Sequence, residues 1–140
     1  MSTKARAIIV AKLARLAEYL GYLKELGRFA EDRFIKDYRL YGLAERYLQL
    51  SIEIVIDISR QLLIVLDVER PESNTEMFEI LVERKVISRK LYEKLRLMVG
   101  FRNILVHDYM KIDRRVVYKA LKDELRDIEQ FKRAVNKKLK

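Results

Sequence analysis

From residue 4 to residue 27, apolar side chains recur at helical spacing (Ile8, Ala11, Leu16, Leu20, Leu23), while Lys12, Arg15, Glu18 and Lys24 supply polar faces. That period predicts an amphipathic helix. A second helix is expected to begin at Arg39 or Leu43 and to reach Val68. Its centre, YLQLSIEIVIDISRQLLIVL, is apolar on most faces and should be the most buried element. The β-branched run IEIVIDI has strand-like composition, but the length of the segment and its lack of turn residues favour helix.

The stretch ERPESNTE breaks the pattern with the chain's single proline, Pro71. Ser73 and Glu76 have the spacing of a capping box, which predicts a short helix over Met77 to Arg84. Val86 and Ile87 follow, and Ser88 is placed to cap a fourth helix carrying Leu91, Leu95 and Met98. Asp113 can cap a last helix that runs to the chain end through Val117, Leu121, Leu125, Ile128 and Val135. The expected architecture is all-α, an up-and-down bundle of about five helices. No internal repeat of solenoid length is visible.

At 140 residues the chain has the length of one domain, spanning residues 1–140. Cysteine is absent, which removes disulfides and thiolate nucleophiles or metal ligands, and a single histidine argues against a structural zinc site within one chain. No apolar run approaches the ~18 residues needed to span a bilayer, and Lys4, Arg6, Lys12 and Arg15 interrupt the first apolar segment. These features predict a cytoplasmic protein with no signal peptide and no membrane span. Thirty basic residues against twenty-one acidic ones give a formal charge of +9. Such an excess serves either a polyanionic partner or general solubility. The tail KRAVNKKLK, with five basic residues and no acid after Glu129, divides in the same way between a polyanion contact and cations favoured at a helix carboxyl end.

The lone histidine lies in RNILVHDY, residues 102–109. Along the fourth helix the apolar stripe runs Leu91, Leu95, Met98, Arg102, Leu105, so arginine takes a place where the pattern asks for a core residue. An unpaired guanidinium would be costly there, and the stripe must open onto a cleft, a carboxylate or a partner chain. Glu53 or Asp57, on the long second helix, could be that carboxylate. At about 100° per residue, Arg102 and Tyr109 point the same way, whereas His107 lies about 140° from Arg102. Either the helix ends or bends near Val106, or a second copy of the chain completes the site. Gly100, in mid-helix at a cost of about 1 kcal/mol relative to alanine, fits close approach of another backbone.

RNILVHDY resembles the R-x4-H-x-Y motif of HEPN-domain proteins, in particular the HepT-like toxins of HEPN/MNT toxin-antitoxin systems. YGLAERYLQLSIEIVIDIS, FEILVERKVIS and LRLMVGFRNILVHDYMKID are similar to the same family, so the likeness extends over roughly residues 5–130. The resemblance implies a HEPN-like helical fold and a metal-independent endoribonuclease without cofactor, formed by a homodimer whose motifs meet in one cleft. Cleavage of RNA by its own 2′-hydroxyl needs a base, an acid for the leaving 5′-oxygen and a cation for the charged phosphorane. On this resemblance Arg102 grips the phosphate, His107 serves as base or acid, and Asn103 orients the site by hydrogen bonding. Tyr109 would be the residue to which a minimal nucleotidyltransferase antitoxin attaches AMP, placing negative charge where the RNA phosphate binds. An alternative is a non-catalytic HEPN module that binds a nucleotide or a partner. A DNA-binding helical protein rests on charge alone, because no recognition-helix signature is present.

Overall fold

The computed structural model describes residues 3–107, 110 and 112–140. Among them are six α-helices and no strand: α1 (Thr3–Leu26), α2 (Glu31–Lys36), α3 (Tyr38–Val65), α4 (Asn74–Glu83), α5 (Arg89–His107) and α6 (Arg114–Leu139). The expected five long-range elements are present, and the sixth is α2. This helix is a turn and a half, EDRFIK, too short to show a period, and a single residue separates it from α3. Asp37 ends α2 and caps α3, its carboxylate accepting from the Arg39 backbone N–H at 3.0 Å. Phe34, fully buried, ties the short helix to the core.

Local chemistry explains where the other helices start and stop. Ser73 Oγ accepts from Glu76 N–H at 3.0 Å, starting α4 at Asn74, three residues before the expected Met77. The returning arm of the cap differs from the usual box, since the Glu76 carboxylate takes the Glu72 N–H at 2.9 Å. Ser88 caps α5 through Leu91 N–H at 3.1 Å, and Asp113 caps α6 through Arg115 N–H at 2.9 Å. At the other end, α3 stops at Val65, not Val68, because Asp67 adopts φ 58° and Val68 N–H returns to Leu63 C=O at 2.9 Å. That is a Schellman ending with aspartate in the left-handed position usually given to glycine. Lys85, at φ 60°, ends α4 in the same way.

α1 and α3 form the most extensive helix pair and run antiparallel, with Tyr19 against Tyr47 at one end and Lys12 against Asp57 further along. α6 lies antiparallel to α1, tied by Lys24 to Glu129 and by Arg6 to the Leu139 carbonyl. Phe34, Phe78 and Phe131 are the largest fully buried side chains of one continuous core. α3 supplies Ile52, Val55, Ile58, Leu62 and Leu63 to it, so the IEIVIDI run is helical and central. Burial of these faces, at ~25 cal/mol per Å2 of apolar surface, holds the bundle together. Among the described residues no helix is long and apolar enough to cross a membrane.

Candidate active site

Ser88 starts α5, and its stripe of Leu91, Leu95, Met98 and Leu105 seats the helix on the core. Packing therefore fixes the rotation of α5, and that rotation decides where Arg102 and His107 point. Arg102 emerges at the edge of the buried stripe, beside α3. Its Nε and Nη2 donate to Glu53 Oε2 at 3.3 and 3.2 Å, and its Nη1 donates to Asn103 Oδ1 at 3.0 Å. Gln49, one turn before Glu53 on α3, donates to the same Oε2 at 3.3 Å. Three donors thus converge on one carboxylate oxygen. The pair is partly open to solvent, with the two side chains 28% and 29% exposed.

Asp57, the other carboxylate that the stripe pointed to, lies away from Arg102. It pairs with Lys12 at 3.2 Å and with Arg60 at 3.5 Å. Along α3, Glu53 and Asp57 are one turn apart, and only the packing of α1 and α5 on either side separates their partners. Gln49 escaped the sequence reading, although its i, i+4 spacing to Glu53 was visible there. Next to this cluster a groove of about 530 Å3 opens between α1 and α3, lined among others by Lys12, Arg15, Tyr19, Leu50 and Glu53.

His107 is the last residue of α5 and is exposed. The helix continues unbroken through Val106, so the rotation of about 140° between Arg102 and His107 is preserved. Within one chain the two side chains leave the helix on different faces. Around the helix axis Gly100 and Arg96 lie within about 20° of His107, with Asn103 on one side of that line and Ile104 and Leu97, 41% and 66% exposed, on the other. A Cβ built on Gly100 meets nothing within 4 Å, so contacts with the described residues do not account for glycine there. Tyr109, two residues beyond His107, lies outside the described residues. Among those described, no group of three acidic, histidine or cysteine side chains is arranged to hold a metal ion.

Comparison with known proteins bears on this arrangement. A family model described as "Ribonuclease HepT-like" matches residues 16–135. The mRNA nuclease HepT of Shewanella oneidensis is 29% identical over 128 residues, covering 89% of this chain and 92% of that protein. The tRNA nuclease HepT of Aphanizomenon flos-aquae is also 29% identical, over 129 residues, covering 92% of this chain and 88% of its own length. Among solved structures, the tri-AMPylated Shewanella oneidensis HEPN toxin in complex with MNT antitoxin superposes with a TM-score of 0.85 at 27% identity, over 98% of this chain and 99% of the other.

Proposed function

The chain belongs to the HepT-like ribonuclease family, and we propose that it is the toxin of a toxin-antitoxin pair, an endoribonuclease whose working unit is a homodimer with Arg102 and His107 in its cleft. We infer that residues 1–140 form one HEPN-like domain that acts in the cytoplasm. The observation that carries the reading is the division of α5 into two functional faces. Arg102 is held by Glu53 and Asn103 beside α3, while His107 stands with Gly100 on an exposed face bordered by Ile104 and Leu97.

Two copies that meet on the Leu97, Gly100 and Ile104 face bring two histidines to one two-fold axis. Isologous contact then supplies both a base for the 2′-hydroxyl and an acid for the leaving 5′-oxygen, which one histidine cannot be at the same time. Arg102 stabilises the charge that develops on the phosphorane. Its guanidinium is held by Glu53 and Asn103 before substrate arrives, so little reorganisation is needed in the transition state. The Nη1 and Nη2 edges each retain an N–H for a phosphate oxygen once Asn103 and Glu53 have taken one apiece.

Neutralisation follows from position. The neighbouring toxin structure is tri-AMPylated and bound to an MNT antitoxin. Here Tyr109 would carry the nucleotide, whose phosphates would then compete with RNA for Arg102 and close the cleft around His107. The test is incubation of RNA with wild-type, Arg102→Ala and His107→Ala protein in EDTA, with analysis of fragment ends. Wild-type cleavage to 2′,3′-cyclic phosphate ends, lost in both folded variants, is expected. Undiminished cleavage by either variant overturns the assignment of that residue, and dependence on a divalent ion overturns the mechanism.

A further inference from the structure

Six basic residues of α6, Arg115, Lys119, Lys122, Arg126, Arg133 and Lys137, follow one another at intervals of four, three, four, seven and four, and the terminal Lys140 continues the series three residues on. At about 100° per residue these positions fall within an arc of about 60°, directly opposite Val117, Ile128, Phe131 and Val135, the line by which α6 seats on the core. All seven are exposed. The acids of α6, at Asp123, Glu124, Asp127 and Glu129, all fall outside that arc. A helix with a merely solvated outer face mixes charges there, often as i, i+4 pairs. This one keeps a single sign along about 38 Å.

Intramolecular pairing uses little of the charge. Arg115 lies 3.6 Å from Glu31, Arg126 lies 3.9 Å from Asp123, and Lys122 donates to the Gly27 carbonyl. The side chains of Lys119, Arg133, Lys137 and Lys140 make no ion pair or hydrogen bond with the described residues. The arc holds no apolar side chain either. A protein partner needs a desolvated apolar or aromatic centre for affinity, and stable attachment to a membrane takes an apolar face or lipid anchor besides basic residues, whereas the apolar face of α6 is packed on the core. A phosphate backbone needs only regularly spaced cations. The stripe begins at Arg115, eight residues after His107, and leads away from that end of α5.

We propose that the α6 stripe is a docking rail for the sugar-phosphate backbone of RNA outside the cleavage cleft, so that the substrate is an RNA long enough to extend along α6. This rests on the ribonuclease reading and adds a sequence-independent binding surface to it. The test measures binding of a long fluorescein-labelled uridine oligomer by anisotropy over a range of salt, in EDTA and in a His107→Ala background that leaves the probe intact. Removing four of the cations as Lys119→Gln, Arg126→Gln, Arg133→Gln and Lys137→Gln weakens binding. It also lowers the slope of log K against log salt by roughly 3, since each single-strand phosphate contact contributes about 0.7. A control with Lys36→Gln, Arg70→Gln, Arg84→Gln and Lys90→Gln removes equal charge elsewhere and changes the slope by less than about 1.

Equal slopes for the stripe variant and its parent overturn the rail, as does an equal loss in the control. Unchanged RNA binding with loss of binding to a purified nucleotidyltransferase antitoxin also overturns it and gives the stripe to a protein partner. Cleavage by the wild type alongside an unchanged slope removes the rail alone. A wild type that neither binds nor cuts RNA removes the ribonuclease reading and the rail together.

Discussion

Replacing Glu124 by glutamine should stabilise this protein, and the gain should grow with pH. Val117, Leu121, Glu124, Ile128, Phe131 and Val135 are spaced four, three, four, three and four apart, so Glu124 occupies a core position of α6. Its Oε2 is buried and has no hydrogen-bond partner among the described residues. Burial first, then the nearby charges of Asp127 and Asp123, push its carboxyl up to about 8. In the unfolded chain the same group titrates near its ordinary value of 4.5. Below the unfolded value it is protonated in both states and has no effect on the balance. Between about 4.5 and about 8 the unfolded chain releases its proton while the folded chain keeps it, so stability falls as pH rises, by about 1.4 kcal/mol per pH unit.

The accumulated penalty is about 3 kcal/mol at pH 7 and about 5 kcal/mol above pH 8. Glutamine keeps the shape and stays neutral, so Glu124→Gln escapes this slope. At roughly 3 °C per kcal/mol for a chain of this size, the variant should melt about 10 °C higher at pH 7 and nearly level with the wild type at pH 4.5. Paired thermal unfolding of both proteins by circular dichroism from pH 4.5 to 9 measures the difference directly, and every other titrating group is common to the two. A constant gap across that range would refute the reasoning, because it would mean that Glu124 titrates alike in the folded and unfolded chains.

Glu53→Gln removes the charge that faces Arg102 but keeps the hydrogen-bonding shape. For a pair this exposed, stability should fall by less than about 1 kcal/mol, while RNA cleavage should drop roughly ten- to a hundredfold as the guanidinium loses its fixed position. Melting and cleavage measured on one preparation separate the two effects, and full activity would make Glu53 a bystander. Gly100→Ala should stabilise the isolated helix face by up to about 1 kcal/mol, since its Cβ meets nothing within 4 Å. Gly100→Arg, by contrast, should abolish the dimer in sedimentation, and a persistent dimer would place the interface on another face.

Most of the fold was legible along the chain, because helix spacing and caps are local chemistry. Ser73, Ser88 and Asp113 start their helices where short polar side chains can reach an orphan N–H. What escaped was also local in cause. α2 is shorter than the period that would reveal it, and the left-handed turn at Asp67 ends α3 without a glycine to announce it.

The sequence by itself determined that α5 carries an arginine in its apolar stripe and a histidine on another face, since a helix of fixed pitch turns spacing into direction. The R-x4-H-x-Y motif and its neighbouring segments were likewise readable without coordinates. Only the tertiary structure decided that Arg102 meets Glu53 and not Asp57. Both carboxylates stand on one face of α3 a turn apart, and the choice depends on how far α1 and α5 are displaced along it. The same is true of Glu124, an ordinary acid in the sequence, whose half-buried carboxyl is pushed up in pKa because α6 must turn its other side, with the basic stripe, to the solvent. Spacing within a helix is set by its own hydrogen bonds, whereas the register between helices is set by side chains far apart in the chain filling one core.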